Sequence, residues 1–387
     1  MDFLVLMLVA LLSMLSLVVL EVATKAALPS DPLYYVKRQI IWIVVGAIVM
    51  LAVAAIPYER IAQWSKYIYW ANIFLLLVVL VKGHTALGAS RWIGVAGIQI
   101  QPSEFAKVAI IITLADLLNR RPSMQRFRDW VSPLGHVLLP MALIIKQPDL
   151  GTSLVFVAIL IAMLYAAGAP GPKLLLFFGG VLGLIVLWIY AHYNWTLAGH
   201  AIPIFMHNYQ LNRLLIFLNP NKSPMGSGYN VIQSRIAVGI GGMWGVGLAA
   251  HGGQLSFLPE ATTDFVFAVV AEVLGFVGTI GVLLVYFVLL SRGLAIVAGA
   301  KDRLGMLLAS GVVAMIGFHV IESAGMATGV MPVAGVPLPF VSYGGSAYVA
   351  DAIAIGLLMG VYARRDRFMF VAESSTAASP SSGGRKS

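Results

Sequence analysis

GSGYNVIQSRIAVGIGGMWGVGLAAHGGQLSFLPEATTDFVFAVVAEVLG, residues 226–275, decides how the rest of the chain is read. Glycines crowd its first half, Gln233, Ser234 and Arg235 supply polarity, and Glu260 and Asp264 lead into an unbroken apolar run. The two carboxylates are four positions apart, so a turn at Thr262 that is already helical puts both on one face. An acid at the edge of hydrocarbon is costly to hold and is by default a functional site. The competing reading is a solvated acid that answers the dipole at a helix N-terminus. The glycines from Gly239 to Gly253 have no strand–turn–helix setting with a following Lys-Ser/Thr, which excludes a nucleotide-phosphate loop.

Outward from that run, the composition sets the solvent. Of 387 residues 60% are hydrophobic and 11% charged, with a mean hydropathy of +0.91. Soluble domains carry about 25% charged residues, so this surface belongs in lipid. The chain has no cysteine, which removes disulfides, zinc–thiolate sites and thiol nucleophiles. Its seven histidines are scattered without ligand spacing. The net charge of +9 is confined to particular loops, a topological signal rather than a nucleic-acid footprint.

Runs long enough to cross about 30 Å of hydrocarbon fall at 3–20, 39–56, 67–82, 103–118, 134–147, 151–168, 173–192, 263–291, 304–326 and 346–363, with 134–147 the shortest. The first lacks the basic flank and cleavage site of a signal peptide and is read as a span. The expected fold is an all-α polytopic membrane protein of about ten transmembrane helices. A long extracytoplasmic segment, 193–262, separates spans seven and eight. With a cytoplasmic N-terminus, fifteen Lys/Arg fall inside against nine outside, and Lys107 lies within a span. Omitting the short fifth run would put Arg364, Arg365 and Arg367 outside, which favours ten. Residues 1–370 form one membrane domain; the Ser/Gly-rich 371–387 reads as a disordered cytoplasmic tail.

This topology collects the polar motifs on one face. Residues 83–107, GHTALGASRWIGVAGIQIQPSEFAK, hold glycines suited to a compact hairpin-like turn. Within them Pro102-Ser103-Glu104 reads as a helix start. QPDLGT at 147–152 interrupts spans five and six, and GVPLPFVSYGGS at 335–346 precedes span ten. Together with the 226–275 stretch these loops imply a cavity opening outward over carboxylates and cations.

The same blocks carry a resemblance. SRWIGVAGIQIQPSEFAK, QPDLGT, GSGYNVIQSRIAVGIGGMWGVG, LPEATTDFVFAV and PVAGVPLPFVSYGGS resemble, in unchanged order from Tyr34 to Arg367, the signature blocks of the SEDS family, the RodA/FtsW/SpoVE group. PLPFVSYGGS is nearer the elongation branch than the division branch. The resemblance implies a peptidoglycan glycosyltransferase of the bacterial cytoplasmic membrane that polymerises lipid II, an undecaprenyl-linked precursor. It also implies a class B penicillin-binding protein, a transpeptidase, as partner. Three positions depart from the pattern: Val273 follows Glu272 where paired glutamates are frequent, Glu322 stands where Asn is common, and Ala347 where a second serine is common.

By the same resemblance Asp264 is the general base for the acceptor 4-hydroxyl, with inversion at the sugar by single displacement. Lys107, Arg213 and then Arg91 are the cations for the departing pyrophosphate or for Asp264 itself. For Lys107 both roles stay open. Glu104 either orients Lys107 or caps its own helix. Trp92 is a site residue or an interfacial-belt tryptophan. Ser342 and Gln233 bind sugar groups or pack loops. Glu260 assists Asp264 or helps hold a divalent cation, for which one acid pair is slender support. His319, inside span nine, reads as a hydrogen-bonded structural histidine. A rival class is a lipid II flippase or other transporter, since intramembrane Lys and Asp and Gly/Pro-broken helices occur there too. Against it, no repeat relates the two halves. A non-enzymatic scaffold would leave the polar clustering without a purpose.

Overall fold

The computed structural model describes residues 2–28, 30–82, 84–86, 89–95, 98–194, 196–197, 200–201, 213, 216–217, 228–248 and 257–365. Twelve helices occur among them: α1 Phe3–Ala27, α2 Tyr34–Ala55, α3 Tyr58–Gln63, α4 Ser65–Lys82, α5 Pro102–Asn119, α6 Phe127–Lys146, α7 Leu150–Ala166, α8 Gly171–Asn194, α9 Tyr229–Ile240, α10 Val266–Ala298, α11 Arg303–Thr328 and α12 Gly345–Ala363. Each apolar run of the sequence lies on a helix of seventeen residues or more. Six of these (α1, α2, α8, α10, α11, α12) are long and apolar enough to cross a membrane by length and composition. α4 and α7 are apolar but shorter. α5 and α6 carry buried or terminal charge, and α6 contains Pro133 and Pro140. The run at 134–147 looked short because the first turns of α6 are polar. There Arg126 and Asp129 form a reciprocal cap, and the buried Trp130 donates to the Met124 carbonyl.

α11 and α12 are the centre. α11 packs on α5, α7 and α10, and α12 on α2 and α5, while α8 stands largely exposed at the edge. Between lipid-facing helices there is little hydrophobic drive, so close fit and interhelical hydrogen bonds must hold the bundle. Such bonds appear at both ends. At one end Ser16 Oγ donates to the Val341 carbonyl, and Gln39 Nε2 to Ser16 Oγ and to the Ser342 carbonyl. At the other, Arg292 pairs with Asp2 at 2.6 Å, Tyr58 donates to Asp302 and Arg364 to the carbonyls of Ala54 and Ala55. Burial and that bond to Asp302 push the Tyr58 phenol above its ordinary range.

The fold departs from all-α in two small places. Between α4 and α5 runs a three-stranded antiparallel meander: β1 His84–Ala86, β2 Ala89–Val95 and β3 Ile98–Ile100. After α8 come the paired β4 Thr196–Leu197 and β5 His200–Ala201. The meander is the compact turn that the glycines of that loop suggested. The tail at 371–387 lies outside the described residues.

The glycine-dense passage has a structural purpose that its sequence hid. α10 breaks at Gly275, whose φ of 68° and ψ of −171° suit glycine alone. In an unbroken helix the amides of Phe276 and Val277 would bond the carbonyls of Glu272 and Val273. Here Phe276 N donates to the Gly242 carbonyl (2.8 Å) and Val277 N to that of Met243 (3.1 Å). The freed carbonyls of Glu272 and Val273 accept from Val246 N (2.9 Å) and Gly247 N (3.1 Å). Two lost helix bonds free four backbone groups, and all four are paired again by an earlier stretch of the chain, which is what lipid demands of a broken helix. Side chains at Gly241 and Gly245 would drive a Cβ into the carbonyls of Ala271 and Val273.

Candidate functional site

Asp264 sits two residues before α10, in a turn rather than in the helix. Glu260 has a left-handed φ of 56°, and its carbonyl accepts from both Thr263 N and Phe265 N. The shared helical face expected for Glu260 and Asp264 is therefore not formed, because the chain coils tightly between them instead of starting a regular turn. That turn is fixed from the last interhelical loop of the same end. Tyr343 N donates to the Thr262 carbonyl at 2.8 Å, and Ser342 Oγ donates to the Thr263 carbonyl at 2.7 Å while accepting from Leu338 N. Ser342 is buried with its hydroxyl engaged by backbone on both sides, so it packs the loop. Burial also raises the Tyr343 phenol, against the opposing pull of Arg38.

The cation found beside Asp264 is Arg213. Both charged groups face Gly335, whose φ is +75°. A Cβ built there would come within 2.9 Å of Asp264 Oδ2 and 3.7 Å of Arg213 Nη1. Arg213 is anchored by Nη1 donating to the Val333 carbonyl at 2.9 Å. Thus the segment 333–342 presents Arg213 through Val333, leaves room for the carboxylate at Gly335 and clamps the Asp264 turn through Ser342.

Lys107 belongs to a second cluster. It lies 1% exposed on α5, its ammonium 2.7 Å from Glu104 Oε2 and 3.1 Å from His319 Nε2. Glu104 therefore holds Lys107, as one of its two sequence readings had it, and His319 of α11 adds a partner that spacing alone did not name. Asp351 of α12 lies 3.8 Å from the other ring nitrogen of His319. Glu322, one turn further along α11, is wholly buried, and neither carboxylate oxygen has a hydrogen-bond partner among the described residues. Asp351 was overlooked in the sequence although a lone acid within an apolar span is itself the signal. Such a network favours a fixed geometry more than it stabilises the fold.

Nearby motifs are tied together as well. Gln101 N donates to Ser346 Oγ, and Asp149, capping α7, accepts from Ser103 Oγ and from the amide and hydroxyl of Thr152. QPSE, QPDLGT and the GGS at the head of α12 thus meet at one end of the bundle. Trp92 lies half-buried on β2, paired in register with His84. Arg91 is on the same strand, its side chain outside the described residues. Gln233 is on α9, whose neighbours Ser234 and Arg235 bond the carbonyls of Ala327 and Gly329 at the end of α11. Among the described residues no group of three or more His, Cys, Asp or Glu could hold a metal ion.

Fold and site together define a multi-pass membrane protein with a charged pair held under interlocked loops at one end of the bundle. A family model described as "Cell cycle protein", of the FtsW/RodA/SpoVE group, matches residues 1–367, and the chain belongs to that family. Stage V sporulation protein E of Bacillus subtilis (strain 168) is 38% identical over 335 residues, covering 86% of this chain and 87% of its own. Peptidoglycan glycosyltransferase MrdB of Escherichia coli (strain K12) is 36% identical over 368 residues, 92% and 93% of the two chains. A solved structure described as "Structural coordination of polymerization and crosslinking by a peptidoglycan synthase complex" aligns with a TM-score of 0.78 and 30% identity, over 95% of this chain and 98% of that one.

Proposed function

We propose that this chain polymerises lipid II into glycan strands at the outer face of the bacterial cytoplasmic membrane during cell-wall elongation. In this reading ten helices cross the bilayer, residues 1–370 are one membrane unit, and both termini are cytoplasmic. Relatives named as peptidoglycan glycosyltransferases support the glycosyl-transfer class. The observation that carries the finer reading is the convergence of Asp264 and Arg213 on Gly335.

Asp264 accepts the proton of the acceptor 4-hydroxyl as that oxygen attacks the anomeric carbon of the donor. The bond to the lipid pyrophosphate breaks on the opposite side, with inversion. Arg213 takes up charge on the leaving pyrophosphate or fixes the carboxylate. Arg91, Trp92 and Gln233 are candidates for contacts to the sugars. Glu104 and Lys107 form a fixed charged layer through His319. Glu260 shapes the turn, and its carboxylate is the candidate contact for a divalent cation on the substrate. The solved relative described as a peptidoglycan synthase complex supports a crosslinking partner, here a class B penicillin-binding protein.

The test uses purified full-length protein, with and without that partner, given lipid II and assayed for strands by gel. Asp264→Asn is expected to abolish strands while leaving the thermal midpoint near that of the parent. Strands at parental rate from Asp264→Asn would remove it as the base. Passage of lipid II across liposomes without any strands would make the protein a transporter instead.

A further inference from the structure

At the end of the bundle away from Asp264, a cavity of about 680 Å³ opens between the start of α4 and the end of α5. None of the family motifs lies in it, and the charged pair at Gly335 does not use it. Its inner wall carries the polar side chains of Tyr69, Thr113 and His136. His136 Nε2 meets Thr113 Oγ1 at 2.9 Å, and the Tyr69 ring stacks on the imidazole at 4.0 Å while its hydroxyl donates to the His136 carbonyl. Thr113 is 3% exposed, so this is built floor rather than chance surface.

The rim is cationic. Arg120 is occupied by Asp116 through two 3.0 Å bonds, and Asp116 also accepts from Ser65. Lys66 and Arg121, which complete the rim, are exposed and form no ion pair among the described residues. Two cations thus remain beside a neutralised pair. Next to them Trp64, Tyr67 and Trp70 are each more than half exposed, the pattern of side chains that sit at headgroup level. Basic pockets between helices at a membrane surface are suited to acidic lipid headgroups.

We propose that this cavity binds an acidic glycerophospholipid of the leaflet opposite the one over which Asp264 sits. The phosphodiester lies between Lys66 and Arg121, and the ester oxygens, a few ångströms deeper, reach the level of Tyr69 and His136. The acyl chains leave past Leu117 into the bilayer. A free phosphate would satisfy the two cations but not the polar wall beneath them or the aromatic flank, so a lipid is the better occupant.

The experiment delipidates full-length protein, exposes it to phosphatidylglycerol or phosphatidylcholine in mixed micelles, and counts retained lipid by native mass spectrometry. Phosphatidylglycerol is expected to be retained over phosphatidylcholine. Lys66→Gln with Arg121→Gln should lower that retention about thirtyfold, in keeping with the strength of two basic side chains at a membrane surface. Arg128→Gln with Lys301→Gln removes the same charge elsewhere on that end and should retain lipid like the parent. Equal retention of both lipids overturns the proposal, as does an equal loss in the two double variants. Displacement of phosphatidylglycerol by an equal concentration of inorganic phosphate would make this a soluble-anion site and overturn it too.

Discussion

Alanine at Gly335 tests the geometry around Asp264 without replacing a charged residue. Its Cβ would stand 2.9 Å from Asp264 Oδ2, whereas ordinary carbon contacts begin near 3.5 Å. The carboxylate must therefore retreat by about 0.5 Å. A 1 Å misplacement of a reacting group costs about a hundredfold in rate, so half of that costs about tenfold. The backbone adds its own penalty, because φ is +75° and an L-residue there costs about 1–2 kcal/mol. Gly329 separates the two effects. Its φ is +74°, and the nearest atoms to its Cβ all belong to the exposed side chain of Arg235, which swings aside at the cost of its one bond to the Gly329 carbonyl. Gly335→Ala and Gly329→Ala should thus lower the thermal midpoint in detergent by similar amounts. Only Gly335→Ala should slow lipid II polymerisation about tenfold, with apparent KM little changed. Equal turnover for the two variants would refute the assignment of Asp264 to the reacting centre.

Other expectations follow from the same contacts. Gly275→Ala puts a side chain into the backbone of Trp244 and Gly245, and should cost about 3 kcal/mol or more. Gly247→Ala, at φ +79° with open space around it, should cost about 1–2 kcal/mol; denaturation in mixed micelles ranks them. Lys107→Met strands Glu104 as a lone buried charge and should cost about 3–5 kcal/mol. The double change with Glu104→Gln should recover much of that in the same measurement, and a purely additive result would deny the coupling. Ser342→Ala removes the clamp on the Thr263 carbonyl and orphans Leu338 N, for about 1–3 kcal/mol. It should also lower kcat more than it raises KM; an effect on KM alone would give Ser342 a substrate contact.

How far the sequence could carry these conclusions depended on the range of the interaction. Helices were legible because lipid imposes a length and a polarity on every crossing, and the loop chemistry at Pro102 and at Gly335–Ser346 is local. Partnerships across the bundle were not. His319 meets Lys107 over 212 positions, and nothing in either neighbourhood announces the other. Arg213 was named among three cations, but only folding sets it at the same glycine as Asp264. The passage from Gly241 to Gly247 reads in the sequence only as a glycine-dense part of the long outer segment 193–262. Its purpose depends on a break at Gly275, and nothing local distinguishes that glycine from Gly278 and Gly281, where the same helix runs on unbroken.

That break constrains how the polypeptide enters its membrane during synthesis. Until the backbone at 242–247 is alongside, the peptide groups at 272–277 cannot be released into hydrocarbon without four naked dipoles. The earlier stretch must therefore wait at the translocon for the later helix, and the two partition as one insertion unit. Cutting the gene between codons 248 and 257 and expressing both halves should yield stable protein only when the halves are made together.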